Sequence, residues 1–147
     1  MGSLDECLKF ANENPASFLA TVEGDQPRVR GMALWFADHS GFYYHTATSK
    51  NVCRQLRKNP RAELCFYAAV PPEGGAGRML RVSGKAEFLS DPALVSRLLH
   101  ERPWLNAILA GSRVEDLLAI FRIRDGEAWF WTMADNMKEA SIPRYRF

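Results

Sequence analysis

Arg28 and Arg30 stand two residues apart in QPRVRGMALW, and further along the chain reads YYHTATSKN over residues 43–51. In an extended strand, residues two apart point to the same face, so the two guanidinium groups share a side. Gly31 follows at once and leaves bare backbone beside whatever lies there. Thr46, Thr48, Ser49 and Lys50 crowd the point where a strand gives way to a helix. Hydroxyl donors, the free N–H groups of a helix start and a lysine are groups that together suit a phosphate. From Arg28 to Arg61 there are seven Lys or Arg (positions 28, 30, 50, 54, 57, 58 and 61) against one acid, Asp38, whereas the formal net charge of the whole chain is only +2. That concentration points to a pocket for an anionic cofactor. A plainer reading stands beside it, in which Ser49 or Thr48 caps the helix and the cations are simply solvated. Lys50 resists the plainer reading, because a cation in the first helical turn opposes the helix dipole and calls for a compensating anion.

The composition sets bounds on the rest. At 147 residues, 47% hydrophobic and 24% charged, the chain matches one ordinary soluble domain with enough material for a core. No apolar run approaches the roughly 20 residues of a membrane span. The start, MGSLDECLKF, lacks a basic stretch followed by an apolar one, so no secretory leader is expected. Three cysteines, Cys7, Cys53 and Cys65, are an odd number without CxxC spacing. They are expected as reduced thiols in a cytosol, with no disulfide frame and no zinc site. A basic excess confined to one segment suits a small anion better than nucleic acid.

Periodicity and turn chemistry supply the elements that must position these residues. A short helix is expected over Ser3–Asn14, stopped by Asn14-Pro15. Strands follow at Ser17–Val22, at Arg28–Ala37 and at Phe42–His45, then a helix at Ser49–Lys58 that buries Val52, Cys53 and Leu56 and ends at Asn59-Pro60. Arg61–Ala68 is a further strand. Residues 70–77 read as a mobile hairpin connection, glycine-rich but without the Lys-Ser/Thr of a phosphate loop. Met79–Leu89 alternates as a strand, Asp91-Pro92 opens a helix through Leu99, and Trp104–Ala110 adds a short one. Asp125-Gly126 predicts a hairpin between Leu117–Arg124 and Glu127–Thr132. In the tail, Ile142, Tyr145 and Phe147 are available to pack back on the sheet. The expected class is therefore mainly β with inserted helices, six or seven antiparallel strands curled into a closed or partly closed barrel that hides its edges.

Taken together, FLATVEGDQPRVRGM, YYHTATSKNVCRQLRKNPRAELCF and LRVSGKAEF resemble the pyridoxamine 5′-phosphate oxidase-like FMN-binding split-barrel family. The resemblance implies a six-stranded antiparallel split β-barrel, usually a homodimer with FMN at the subunit interface. It implies that Arg30, with Arg28 beside it, reaches the FMN phosphate or ribityl chain. Gly31, Met32 and Ala33 would lie along the flavin ring, and His45 and Thr46 would meet the cofactor from the next strand. Lys50 would hold the phosphate, with Thr48, Ser49 and Asn51 as helpers. Two departures separate the chain from the oxidase proper. The oxidase's Ser-Arg-Lys helix start reads Lys50-Asn51-Val52 here, and its Arg-x-His substrate motif has no counterpart in MADNMKEASIPRYRF. Tyr43-Tyr44-His45-Thr46-Ala47 is instead similar to the Tyr-x-His-x-Ala stretch of nitroimidazole-resistance-type flavoproteins. On that likeness His45 is the candidate catalytic proton donor, titrating near neutrality. A strand-end histidine bonded to a neighbour is the alternative. The implied activity is transfer of electrons from a nicotinamide or flavin donor to a small-molecule substrate in the cytoplasm. Its rivals are a non-enzymatic flavin binder or sensor, and the same barrel loaded with a deazaflavin or haem.

Overall fold

A computed structural model of the protein describes residues 2–70, 74–75 and 77–147. Its eight strands, all paired antiparallel, are β1 (Ala16–Glu23), β2 (Gln26–Ala33), β3 (Phe36–Asp38), β4 (Gly41–Ala47), β5 (Arg61–Ala68), β6 (Arg78–Leu89), β7 (Leu118–Thr132) and β8 (Tyr145–Arg146). Five α-helices are inserted: α1 (Leu4–Glu13), α2 (Asn51–Lys58), α3 (Pro92–Glu101), α4 (Trp104–Leu109) and α5 (Val114–Leu117). The expected mainly-β class with inserted helices holds, with eight strands among the described residues rather than six or seven, and the sheet is not closed by strand pairing. The path runs β2-β1-β5-β6-β7-β4-β3, with β8 added beside β7.

The two ends of that path are consecutive in the chain. β2 leaves its partner β1 at Ala33 and β3 takes up β4 at Phe36. The two residues between them carry the switch: Leu34 donates its N–H to the Pro15 carbonyl at 2.8 Å, and Trp35 donates to the Tyr43 carbonyl at 2.9 Å. A two-residue link is too short to cross an open sheet, so the sheet curls to bring the end of β2 beside the start of β3, although the two strands do not pair. The single strand expected over Arg28–Ala37 is therefore two strands, because its unbroken apolar run turns the corner of the barrel with Leu34 buried there.

Inside the curl lie Leu19, Leu64, Phe66, Leu80, Val82, Phe42, Tyr44, Phe121 and Ile123, all excluded from solvent. Cross-strand pairs such as Leu19 with Leu64 put them on one face by the two-residue period. Helix α1 closes one end. Ser3 accepts the Glu6 N–H at its start, and its buried Cys7, Leu8, Phe10 and Ala11 join the core. Asn12 clips α1 to β3, bonding both the carbonyl and the N–H of Ala37 at 2.9 Å. A second apolar cluster forms on the outer face of β4 and β7, where Leu98, Leu105 and Leu109 of α3 and α4 cover Ile120.

Asp125-Gly126 is not a hairpin. β7 runs unbroken from Leu118 to Thr132, and both halves pair with β6, Leu89 opposite Ile120 and Arg78 opposite Thr132. The register slips by one between Ser83–Glu127 and Lys85–Arg124, so two residues of β7 oppose Gly84 in a β-bulge. Asp125 has φ of 53°, the backbone state that Asp-Gly favours in a tight turn as well. A Cβ on Gly126 would stand 1.7 Å from the Ser83 carbonyl oxygen. The Asp-Gly backbone state suits a turn and a bulge alike, and the twelve-residue partner strand β6 holds β7 straight.

Of the tail residues, Tyr145 and Phe147 pack against the core cluster, with the Phe147 ring 5.2 Å from that of Phe42. β5 and β6 pair from Arg61–Lys85 to Ala68–Arg78, and much of the expected mobile connection between them, residues 71–73 and 76, lies outside the described residues. No described helix is long and apolar enough to cross a membrane.

Candidate functional site

Register pairs Thr21 with Arg28 and Leu19 with Arg30, so the two arginines share a face as the spacing required. Their surroundings differ. Arg28 lies 3.0 Å from the Glu23 carboxylate, which also receives Arg54 at 2.7 Å. The hydrogen bonds from Arg54 and then Arg28 hold that carboxyl below its usual range. Arg30 has only neutral acceptors: the Leu19 carbonyl at 3.2 Å, the Thr21 hydroxyl at 2.8 Å and Gln55 Oε1 at 2.5 Å. Thr21 in turn donates its hydroxyl proton to Gln55 Oε1 at 2.6 Å, which locks α2 against β1. No carboxylate of the described residues forms an ion pair with Arg30. Burial, and then the Arg28 charge, lower its pKa. A half-buried cation without a counter-charge costs free energy that an anion would recover.

The strand-to-helix junction differs from expectation. α2 begins at Asn51 with Lys50 as its N-cap residue, and no side chain caps it. The hydroxyl start expected at Thr48 or Ser49 is absent because Thr48 is committed elsewhere: its hydroxyl donates to the Asp116 carbonyl at 2.6 Å, and its N–H to the Leu117 carbonyl at 3.0 Å. Ser49 and Asn51 are partly or wholly exposed, and Asn51 Oδ1 accepts from Arg54 at 3.4 Å. Thr46 pairs with Ala119 on the same face as Phe42 and Tyr44, inside the barrel. It is only 5% exposed, and its hydroxyl has no protein partner.

His45 lies on the opposite, outer face, paired with Ile120 beneath the inserted helices. Its Nε2 is 2.5 Å from Arg102 Nη1, and Arg102 Nη2 donates to the Leu34 carbonyl at 3.3 Å. A guanidinium only donates, so Nε2 accepts and the ring proton sits on Nδ1. Burial, then the charges of Arg102 and Lys50, push the His45 pKa down to about 4. The expected titration near neutrality is corrected: at neutral pH this imidazole is an uncharged group held by an arginine. The Trp104 ring centroid is 6.2 Å away, and the indole is 56% exposed. Arg102, which caps the C-terminus of α3, and Trp104 carry no local signal of a site in the sequence. Arg-Pro-Trp after a helix reads locally as a terminator, and only the return of α3 and α4 over β4 brings it to His45. Arg102, like Arg30, forms no ion pair with a described carboxylate.

Gly31, Met32 and Ala33 run along β2, a terminal strand of the sheet path, so one edge of their backbone lacks a strand partner. Met32 already gives its carbonyl to the Ser17 hydroxyl at 2.6 Å, and that hydroxyl lies 2.7 Å from the Tyr44 hydroxyl. A Cβ on Gly31 would meet only the Ser17 carbonyl, at 3.9 Å, so the space beside it is open. The cysteines lie apart from this chemistry. Burial pushes the Cys7 thiol up to about 12, Cys53 is buried, and burial raises Cys65 as well. No group of three metal-ligating side chains occurs among the described residues.

Two cations without counter-charges among the described carboxylates, an uncharged histidine and an open strand edge lie on a curled antiparallel sheet with inserted helices, the architecture of a split barrel. The chain belongs to the pyridoxamine 5′-phosphate oxidase family, whose model matches residues 3–132. It is similar to a NimC/NimA family protein from Clostridium acetobutylicum, with 25% identity, a TM-score of 0.67 and coverage of 87% of this chain and 84% of that one. General Stress Protein 26 from Bacillus anthracis shares 18% identity at a TM-score of 0.64, covering 98% of each chain. An FAD-binding protein from Mesorhizobium loti shares 16% identity at 0.64, covering 87% of this chain and 94% of that one.

Proposed function

We propose that the protein is an FMN-binding flavoprotein, a homodimer in the cytoplasm with FMN at the subunit interface, which passes electrons from a nicotinamide or flavin donor to a small-molecule substrate. The observation that carries this reading is Arg30, half-buried and bonded only to neutral acceptors. Family membership and the similarity to an FAD-binding protein support a flavin, and the phosphate of FMN is an anion of the required kind. Arg30 and Lys50 would neutralise it. Arg28 is already paired with Glu23 and would contribute only through its field. Ser49 and Asn51, which reach solvent, are the helpers that remain available. Gly31, Met32 and Ala33 would meet the ring along the open edge of β2.

FMN, when bound, supplies the redox centre. The chain supplies placement and electrostatics. Its neutral His45, oriented through Nε2 by Arg102, keeps Nδ1–H as a fixed hydrogen-bond donor, and Arg102 offers a positive charge for an anionic substituent of the substrate. Trp104, exposed beside them, offers a flat surface for an aromatic body. The second copy would cover the outer face of β1, β2 and β5. There Phe18 is 53% exposed, Val29 69% and Tyr67 56%, and pairing of Phe18 with Gly31 and of Ala20 with Val29 puts the first two on one side. Large apolar side chains exposed on one face of a sheet mark an interaction surface.

The test is the visible spectrum of the purified protein with and without added FMN, followed by reduction with NADH or NADPH and reoxidation by a nitroaromatic. Flavin bands perturbed on binding, with turnover, support the reading. A protein that leaves the spectrum of added FMN unchanged refutes it, and one that binds FMN without turnover refutes the electron-transfer half.

A further inference from the structure

A cavity lies on the other flank of α2. It has a volume of about 620 Å³ and opens between the last turn of α2, the end of β6, the first turns of α3, helix α5 and the start of β7. Arg57, Phe88, Val95, Glu115, Leu118 and Ile120 are among the residues that line it. The volume falls within the range that holds small ligands. On α2, Arg57 and Gln55 are two residues apart and so project about 200° from one another. The Arg57 cavity is therefore separate from the surface where Gln55 binds Arg30.

The chemistry of the lining selects a ligand. The Arg57 guanidinium stacks over the Phe88 ring at 4.0 Å. Stacking fixes the plane of the fork and leaves its N–H edge free, the geometry that a carboxylate reads with two parallel hydrogen bonds. No carboxylate of the described residues makes an ion pair with Arg57. Glu115, the acid in the lining, is already bound by Arg113 at 2.7 Å, and those hydrogen bonds hold its carboxyl below the usual range. Asp91 occupies the start of α3 with its own carboxylate, accepting from the Ala93 N–H at 2.9 Å, so that helix end is not open to an anion. One cation in the lining favours a single negative charge, and most of the remaining lining side chains are aliphatic.

We infer that this cavity binds an aliphatic monocarboxylate of medium chain length, its head group paired with Arg57 and its chain laid against Val95, Leu118 and Ile120. The site is independent of the flavin and of any electron transfer.

The test uses the full chain and decanoate as probe, with 1-decanol as the uncharged control, followed by amide NMR and calorimetry. Decanoate should bind saturably and shift the amides of residues 118–120. Decanol should bind about tenfold more weakly, and Arg57→Gln should weaken decanoate by about tenfold without changing decanol, the loss expected for one charge-assisted pair. Val95→Trp, which fills the cavity, should abolish both, whereas Arg30→Ala should leave decanoate binding unchanged. The amide spectrum reports the fold of each variant independently. Absence of saturable shifts at residues 118–120, or decanoate affinity unaltered in Arg57→Gln, overturns the inference. Loss of decanoate binding in Arg30→Ala overturns it too, by moving the carboxylate to the other flank of α2.

Discussion

The uncharged state of His45 has a measurable consequence. Its pKa lies at about 4 against an ordinary 6.5, a gap of about 2.5 pH units, and at 1.36 kcal/mol per unit that is about 3.4 kcal/mol. The ring is not sealed from solvent, so screening reduces the figure to about 1–3 kcal/mol. The sign follows from proton binding. Between the two values the unfolded chain takes up a proton that the folded chain refuses, so stability falls as pH drops from about 6.5 to about 4 and this loss levels off below. Carboxylates protonate over part of the same range, and a His45→Gln variant isolates the histidine: wild type should lose about 1–3 kcal/mol more than the variant between pH 7 and pH 4 in urea unfolding. The ring signals should give the pKa directly by NMR titration. Arg102→Met removes the positive charge beside the ring while keeping its bulk, and should raise the pKa by on the order of one unit. An His45 pKa near 6.5 in the wild type, or one unmoved in Arg102→Met, would refute the reasoning.

Other outcomes follow from separate parts of the molecule. Arg30→Ala and Lys50→Ala should each weaken FMN binding by about 1–3 kcal/mol in a fluorescence titration, and unchanged affinity in both would put the phosphate elsewhere. Gly126→Ala should destabilise the fold by about 2–4 kcal/mol in denaturant, because the new Cβ collides with the Ser83 carbonyl and must part β6 from β7. If the proposed homodimer forms through the outer face of β1, β2 and β5, Phe18→Arg should convert it to a folded monomer in sedimentation, the side chain being exposed in the single chain. Cys7, fully buried with its thiol pushed up to about 12, should stay unreactive toward a thiol reagent until the protein unfolds.

Much of the scaffold was legible from periodicity, because the forces that produce it act within a few residues. α1, β1, β4, β5, β6 and α3 lie where alternation, helical spacing and proline or glycine punctuation put them. The shared face of Arg28 and Arg30 follows from the two-residue period alone. What the sequence left open was decided by partners distant in the chain. Leu34-Trp35 reads as mid-strand, yet there the chain exchanges β1 for β4, since only the curled sheet supplies the Pro15 and Tyr43 carbonyls. Asp125-Gly126 has one backbone preference and two uses, and β6 selects the bulge. The electrostatics divide in the same way. Local spacing collects the cations, but whether each has a counter-charge depends on Glu23 reaching Arg28 and Arg54 while Arg30 meets only a carbonyl, a hydroxyl and an amide. A histidine's ordinary pKa is a property of its type, whereas burial and an arginine from another element are properties of the folded chain. Arg102 reaches His45 only once α3 and α4 have packed their leucines over Ile120, which is why that half of the surface emerged with the tertiary structure.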